Sequence, residues 1–255
     1  MQSIAAAVER PSARLLATDR DKRWMERFVL GYTPVWIAVV AAVMLTRAFE
    51  RWGDAAHLVF GVGLALPLWL VPALKRNAHA LRFNLFIGAF SFLQCYFGSE
   101  LFFDVLGMEY HFHTKIIWHR TPLFLYFLTI AYFSTYYVVQ SIAWRALTTR
   151  FPSLPRGARL IARALLGYGT AAAETAGMAN PLLAGYFLYR DRSFALLVGS
   201  LCYGTLFFVS FPYVYRLDED PSAAKPSLRA VAWDCFAVNT VVLICYAGWT
   251  LVLSR

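Results

Sequence analysis

The chain has 255 residues, 59% of them hydrophobic, 17% aromatic and only 15% charged, with a net charge of +9. A soluble domain carries about 25% charged residues, so this chain lacks the polar surface to cover a water-exposed fold. Its basic residues lie between apolar runs rather than in one patch, which argues against a nucleic-acid partner and for contact with anionic lipid.

In chain order, a polar, basic arm over 1–26 comes first. Its apolar stretch at Ile4 to Ala7, continued only by Val8, is too short for the core of a cleavable signal, so the first apolar run is expected to be retained. Runs of about 20 residues follow near 27–47, 55–74, 84–105, 122–143, 160–188, 194–215 and 230–253, each long enough to cross a bilayer as a helix. The fifth is predicted to break or bend around Pro181. The expected fold is therefore an all-α polytopic membrane bundle of about seven transmembrane helices, one domain over 27–255. Of the 24 Lys and Arg, seventeen fall in the N-terminal arm and every second loop, at Arg10 to Arg27, Lys75 to Arg82, Arg145 to Arg163 and Arg216 to Arg229. This positive-inside pattern puts the N-terminus in the cytoplasm and the C-terminus outside. Trp24, Trp52, Trp118, Trp144, Trp233 and Trp249 lie near predicted helix ends, as interfacial anchors do. The cysteines, Cys95, Cys202, Cys235 and Cys245, form no CxxC pair and read as small buried hydrophobes.

Four carboxylates fall within the runs. Asp234, five positions after Arg229, reads as a helix end at the cytoplasmic interface. In "CYFGSELFFD", Tyr96, Phe97, Glu100, Phe103 and Asp104 share a face at i, i+3 and i+4 spacing, which makes Glu100 and Asp104 either interhelical hydrogen-bonding groups or parts of a site. Glu174, in "GTAAAETAGMANP", is expected near the bilayer centre, where a charge costs several kcal/mol. Its face carries Gly167, Thr170, Gly177, Met178 and Pro181, small enough to admit a close helix or leave a slot for a flat ligand. Desolvation disfavours the carboxylate, so Glu174 is predicted to be a neutral acid, a proton donor in an apolar cavity. Aromatic walls drawn from Tyr96, Phe97, Tyr132, Tyr136, Tyr168 and Tyr203 could stabilise a cation beside it. This combination suits isoprenoid cation chemistry.

His111, His113 and His119 cluster in the loop "GMEYHFHTKIIWHR" but read as solvated, and no metal site is predicted. No lysine lies inside a run, which excludes a retinal Schiff base.

Three blocks resemble the cycloeucalenol cycloisomerase family, cyclopropyl sterol isomerases of plant sterol synthesis. "KRWMERFVLGYTPVW" (22–36) is similar to the family's KRWxExFxLxYTPxW. "CYFGSELFFDVLGMEYHF" (95–112) is similar to NYFWTHYFFKVLGxxYxF, with Gly98, Ser99 and Glu100 standing where the family has Trp-Thr-His. "AETAGMAN" (173–180), followed by "DRSFALLVGSLCYGTLFFVSFPYVYRLDE" (191–219), is similar to its ETxxxAN, DRS and SFPxxxRxDE. The excess of Arg over Lys and the abundance of Ala suggest a bacterial member.

The resemblance implies opening of the 9,19-cyclopropane ring of a sterol drawn from the bilayer, leaving an 8,9 double bond, with no cofactor and no metal. Glu174 would donate the proton, and Glu100, alone or with Asp104, would receive the second or tune the first; one carboxyl could also serve both steps. Thr170 and Asn180 would orient Glu174, unless Asn180 caps the helix break before Pro181. Gly177 would leave room for substrate, and Tyr96, Phe97 and Tyr203 would face the cation. The alternative reading is a proton-coupled transporter or lipophile-binding receptor with seven helices. The membrane would be the bacterial inner membrane, or the endoplasmic reticulum in a eukaryote; the sequence leaves the oligomeric state open.

Overall fold

A computed structural model describes residues 15–253; residues 1–14 of the predicted N-terminal arm, and 254–255, lie outside the described residues. Seven long helices fill it: α1 Arg20–Leu45, α2 Asp54–Leu74, α3 Ala78–Val105, α4 Leu123–Arg150, α5 Arg156–Met178, α6 Arg192–Arg216 and α7 Leu228–Leu253. All but α5 are long and apolar enough on their own to cross a membrane. The exception is less apolar because Arg156, Arg159, Arg163 and Glu174 lie on it, yet it packs beside α6 throughout. Exposed leucines, valines and isoleucines such as Val35, Val59, Leu165, Leu197, Ile244 and Leu251 cover the outside of the bundle. An apolar surface of that extent belongs against lipid.

Local chemistry sets the helix boundaries. Asp19 caps α1 by accepting from the backbone N–H of Asp21 and Lys22 at 3.0 and 2.9 Å, and Asn77 caps α3 through Ala80 N–H at 2.8 Å. The fifth span ends ten residues earlier than its apolar run suggests. After Met178 the chain turns at Asn180, whose side chain accepts from Leu182 N–H at 2.9 Å, into a short 3₁₀ turn at Pro181–Leu183. Residues 179–191 then fold back over the bundle end. Glu174 consequently sits four residues, about 6 Å, from the end of α5.

The four basic segments gather at one end of the bundle. Lys22 of α1 meets Glu219 after α6 at 2.9 Å, and Arg145 of α4 joins Glu26 and Glu219 at 2.8 Å each. Asp218 accepts from His79 at 2.8 Å and Arg82 at 2.9 Å. By the positive-inside rule this end is cytoplasmic.

The other end is closed by a small aromatic cap. Strand β1 (Met108–Tyr110) pairs antiparallel with β4 (Phe187–Tyr189), and β2 (Ile117–Trp118) forms a hairpin with β3 (Thr121–Pro122). At the tip of that hairpin His119 and Arg120 both have positive φ, 46° and 64°, as a two-residue hairpin turn of matching twist requires. Beneath the strands Phe49 packs against Trp52, Phe60, Phe112, Phe124 and Tyr186 with centroids 5.3–5.7 Å apart.

Candidate active site

The principal cavity has a volume of about 770 Å³, within the range of roughly 300–1,000 Å³ usual for small-molecule sites. One wall is the face of α1 at Trp36, Val40 and Met44, and the facing wall is α5 at Ala173, Glu174, Gly177 and Met178. Tyr132 and Tyr136 of α4 form the back, and Tyr110, Tyr186 and Phe187 of the cap form the roof. Ile37, Leu45 and Leu182 line it too and are 47%, 76% and 79% exposed, so the cleft between α1 and α5 opens towards lipid. The charged lining residues are Glu174, inside, and Arg47 with Glu50, an exposed pair 3.9 Å apart at the cap end.

Glu174 accepts a hydrogen bond from Tyr203 Oη of α6 at 2.6 Å. That contact depends on how closely α5 and α6 approach. A side-chain carbon on Gly167 would lie 2.9 Å from the Gly204 carbonyl oxygen, and one on Gly204 would lie 3.0 Å from Tyr168 Cα, so only glycine fits at either place. Tyr203 is itself wedged by Phe102 and Phe207, with centroids 5.0 and 5.3 Å away. On its far side Glu174 borders a second, much smaller void of about 60 Å³, shared with Cys95, Thr129, Tyr132 and Tyr203. Here Thr129 Oγ1 bonds both the Cys95 thiol, at 3.2 Å, and Tyr132 Oη, at 2.7 Å.

Of the residues singled out in the sequence, Glu174, Gly177 and Asn180 line the main cavity, and Tyr203 touches the carboxyl. Thr170 does not orient Glu174; it donates to Leu166 O at 2.9 Å and accepts from Gln140 Nε2 at 2.7 Å. Asn180 caps the turn after α5.

Glu100, Asp104, Tyr96 and Phe97 line neither cavity. Glu100 and Asp104 are exposed at the cap end, where Glu100 faces His119 at 3.2 Å and Asp104 binds Arg120 at 2.8 Å. Tyr96 stacks on His119 with centroids 4.4 Å apart, and Phe97 is exposed. Tyr96, Glu100, Phe103 and Asp104 do share a face, as their spacing implies, but that face meets His119 and Arg120 at the hairpin tip rather than the cavity. Trp36, Tyr110, Tyr132, Tyr136 and Tyr186 complete the site instead. Tyr132 and Tyr136 are two of the aromatics expected to wall the acid, and Trp36 closes the first motif block.

Fold and site together define a polytopic integral membrane protein that presents one interior acid to a lipid-facing aromatic cavity. No family model matches the chain, and no solved structure matches it. The cycloeucalenol cycloisomerase of Arabidopsis thaliana is 31% identical over 254 residues, which covers 94% of this chain and 89% of that protein. The chain belongs to the cycloeucalenol cycloisomerase family.

Proposed function

We propose that this protein opens the 9,19-cyclopropane ring of a sterol of the cycloeucalenol or cycloartenol type, giving an 8,9-unsaturated isomer. What carries the reading is Glu174, a single interior carboxyl on a sterol-sized aromatic cavity, in a chain 31% identical to a curated cycloeucalenol cycloisomerase. Glu174 enters the reaction as a neutral acid, the form its apolar surroundings favour. Its proton passes to carbon 19. The C9–C19 bond supplies the electron pair of the new methyl C–H bond, and a tertiary cation develops at carbon 9. Loss of the proton on carbon 8 then forms the C8=C9 double bond, so the reaction is an isomerisation with no net gain of protons or electrons.

In a 9,19-cyclopropyl sterol the methylene bridge and the hydrogen on carbon 8 lie on the same face of the ring system. One carboxyl facing that side can give the first proton and take the second. The proposal assigns both steps to Glu174 and leaves Glu100 and Asp104 to their partners at the cap. Tyr203 holds the carboxyl in place, while Trp36, Tyr132 and Tyr136 offer π faces to the cation. General acid–base catalysis supplies about 10²–10⁴-fold of the rate, and fixed dipoles in a dry site supply much of the rest. The membrane that holds the sterol is where the protein acts.

The test is Glu174→Gln, which keeps the shape and the Tyr203 contact but cannot protonate carbon. Turnover should fall by at least about 10²-fold while the melting temperature in detergent stays within a few degrees of wild type. Wild-type turnover in this variant would sink the assignment.

A further inference from the structure

We infer that Thr135 of α4 is a positioning residue for the proposed reaction: it holds the indole of Trp36 in the cavity wall opposite Glu174, so that the ring stabilises the cation at carbon 9 from the face the acid leaves free. The inference rests on the sterol reading above and adds to it a division of roles between the two walls. Trp36 lines the cavity, whereas Thr135 is buried and does not. The indole N–H of Trp36 donates to Thr135 Oγ1 at 3.0 Å, its one partner among the described residues. The same oxygen lies 2.9 Å from Thr33 Oγ1, one turn before Trp36 on α1. Each threonine also reaches a carbonyl of its own helix, Thr33 that of Val29 at 2.8 Å and Thr135 that of Ala131 at 3.1 Å.

Chemistry fixes the direction of the first bond. An indole N–H only donates, so Thr135 accepts it and its own proton goes to Ala131 O or to Thr33. Nearby, Tyr32 Oη donates to Leu64 O of α2 at 2.9 Å, so polar contacts tie this stretch of α1 to both α2 and α4. Such bonds matter in lipid, where apolar side chains gain little by leaving the tails for another helix. Without Thr135 the indole N–H would stand unpaired in an apolar wall, which is unfavourable, and the ring would be free to turn. Donation from the N–H also raises the electron density of the ring, which strengthens its attraction for a cation.

A sterol is flat, so in a cleft between two facing walls it shows one face to each. Glu174 must meet the face that carries the methylene bridge and the hydrogen on carbon 8. As the C9–C19 bond breaks, the empty orbital at carbon 9 has one lobe on that face and a second on the other. Trp36, on the wall facing Glu174, meets the second lobe. There its π electrons stabilise the charge without standing between Glu174 and the proton it takes back.

The test is a double-mutant cycle on sterol turnover, with Thr135→Val and Trp36→Leu made singly and together and Thr135→Ser as the conservative control. Protein with isotope-labelled tryptophan is followed by NMR in detergent in parallel, and the indole resonance lost in Trp36→Leu belongs to Trp36. Thr135→Val should shift that resonance, lower kcat about five- to tenfold and leave KM within about twofold. Thr135→Ser should keep the wild-type resonance and most of the wild-type kcat. In the Trp36→Leu background Thr135→Val should have no further effect on kcat. An equal loss in both backgrounds would overturn the inference and make Thr135 a packing residue. A wild-type kcat or an unmoved resonance in Thr135→Val would overturn it too, as would a loss in Thr135→Ser as deep as in Thr135→Val. If wild type opens neither cycloartenol nor cycloeucalenol, the reaction reading fails, while a resonance shifted in Thr135→Val alone would still show that Thr135 holds the ring.

Discussion

The chemistry proposed for this protein converges on two side chains, Glu174 and Tyr203, 2.6 Å apart. An acid inside an apolar run is conspicuous because its burial is costly, and so Glu174 could be singled out from sequence. Its partner was legible only as a candidate wall residue. Tyr203 reads as one aromatic among many, and only the approach of α5 to α6 turns it from a cation-facing wall into a hydrogen-bond donor. If Tyr203 holds the carboxyl in its productive orientation, Tyr203→Phe should lower kcat about five- to tenfold while sterol affinity stays within about twofold. Single-turnover kinetics alongside equilibrium binding separate the two. An equal loss in affinity and rate would assign Tyr203 to the binding wall.

At the scale of elements, the helices were legible because a bilayer demands long apolar runs, and the observed bounds differ from the expected ones by a few residues in most cases. Two departures have physical causes. The end of α5 is set by the cap and turn at Asn180 and Pro181, not by hydropathy, so the helix stops four residues after Glu174. The face that carries Glu100 and Asp104 is taken up by the hairpin tip at His119 and Arg120, a long-range contact that periodicity within one helix does not reveal. The α5–α6 contact carries its own prediction. Gly167→Val places carbon 2.9 Å from the Gly204 oxygen, and overpacking of this kind costs about 1–3 kcal/mol. The variant should melt several degrees lower in detergent and lose activity through separation of Tyr203 from Glu174. Unchanged melting and activity would mean the helices part without consequence.

For the whole molecule, the distribution of charge revealed topology but not the pairing it serves. The first and third motif blocks meet at the cytoplasmic end, where Lys22 and Glu26 of one and Asp218 and Glu219 of the other are joined by Arg145, His79 and Arg82. Burial alone would raise the Glu219 carboxyl, but hydrogen bonds from Arg145 and the charge of Lys22 outweigh it and hold its pKa at about 2. Asp218 is held below the ordinary carboxylate range in the same way, by His79 and Arg82 against the opposing effect of burial. A depressed folded pKa gives stability that is present above the unfolded value, about 4.3 for Glu, and lost as pH falls through the folded value. For Glu219 this is roughly 3 kcal/mol, lost between about pH 4.5 and 2. Melting curves across that window should show the loss in wild type and a smaller one in Glu219→Gln; parallel curves would contradict the role given to this network.

The central claim is that an acid facing the cavity opens a cyclopropane by protonating it. Its most direct test is to incubate membranes containing this protein with cycloartenol and cycloeucalenol in heavy water and to locate the label in the sterol by mass spectrometry. The account predicts an 8,9-unsaturated isomer of at least one of the two, with one deuterium in the newly formed methyl group, and no such product from Glu174→Gln. Unchanged sterol from folded wild-type protein, with the Arabidopsis relative active in parallel, would contradict it.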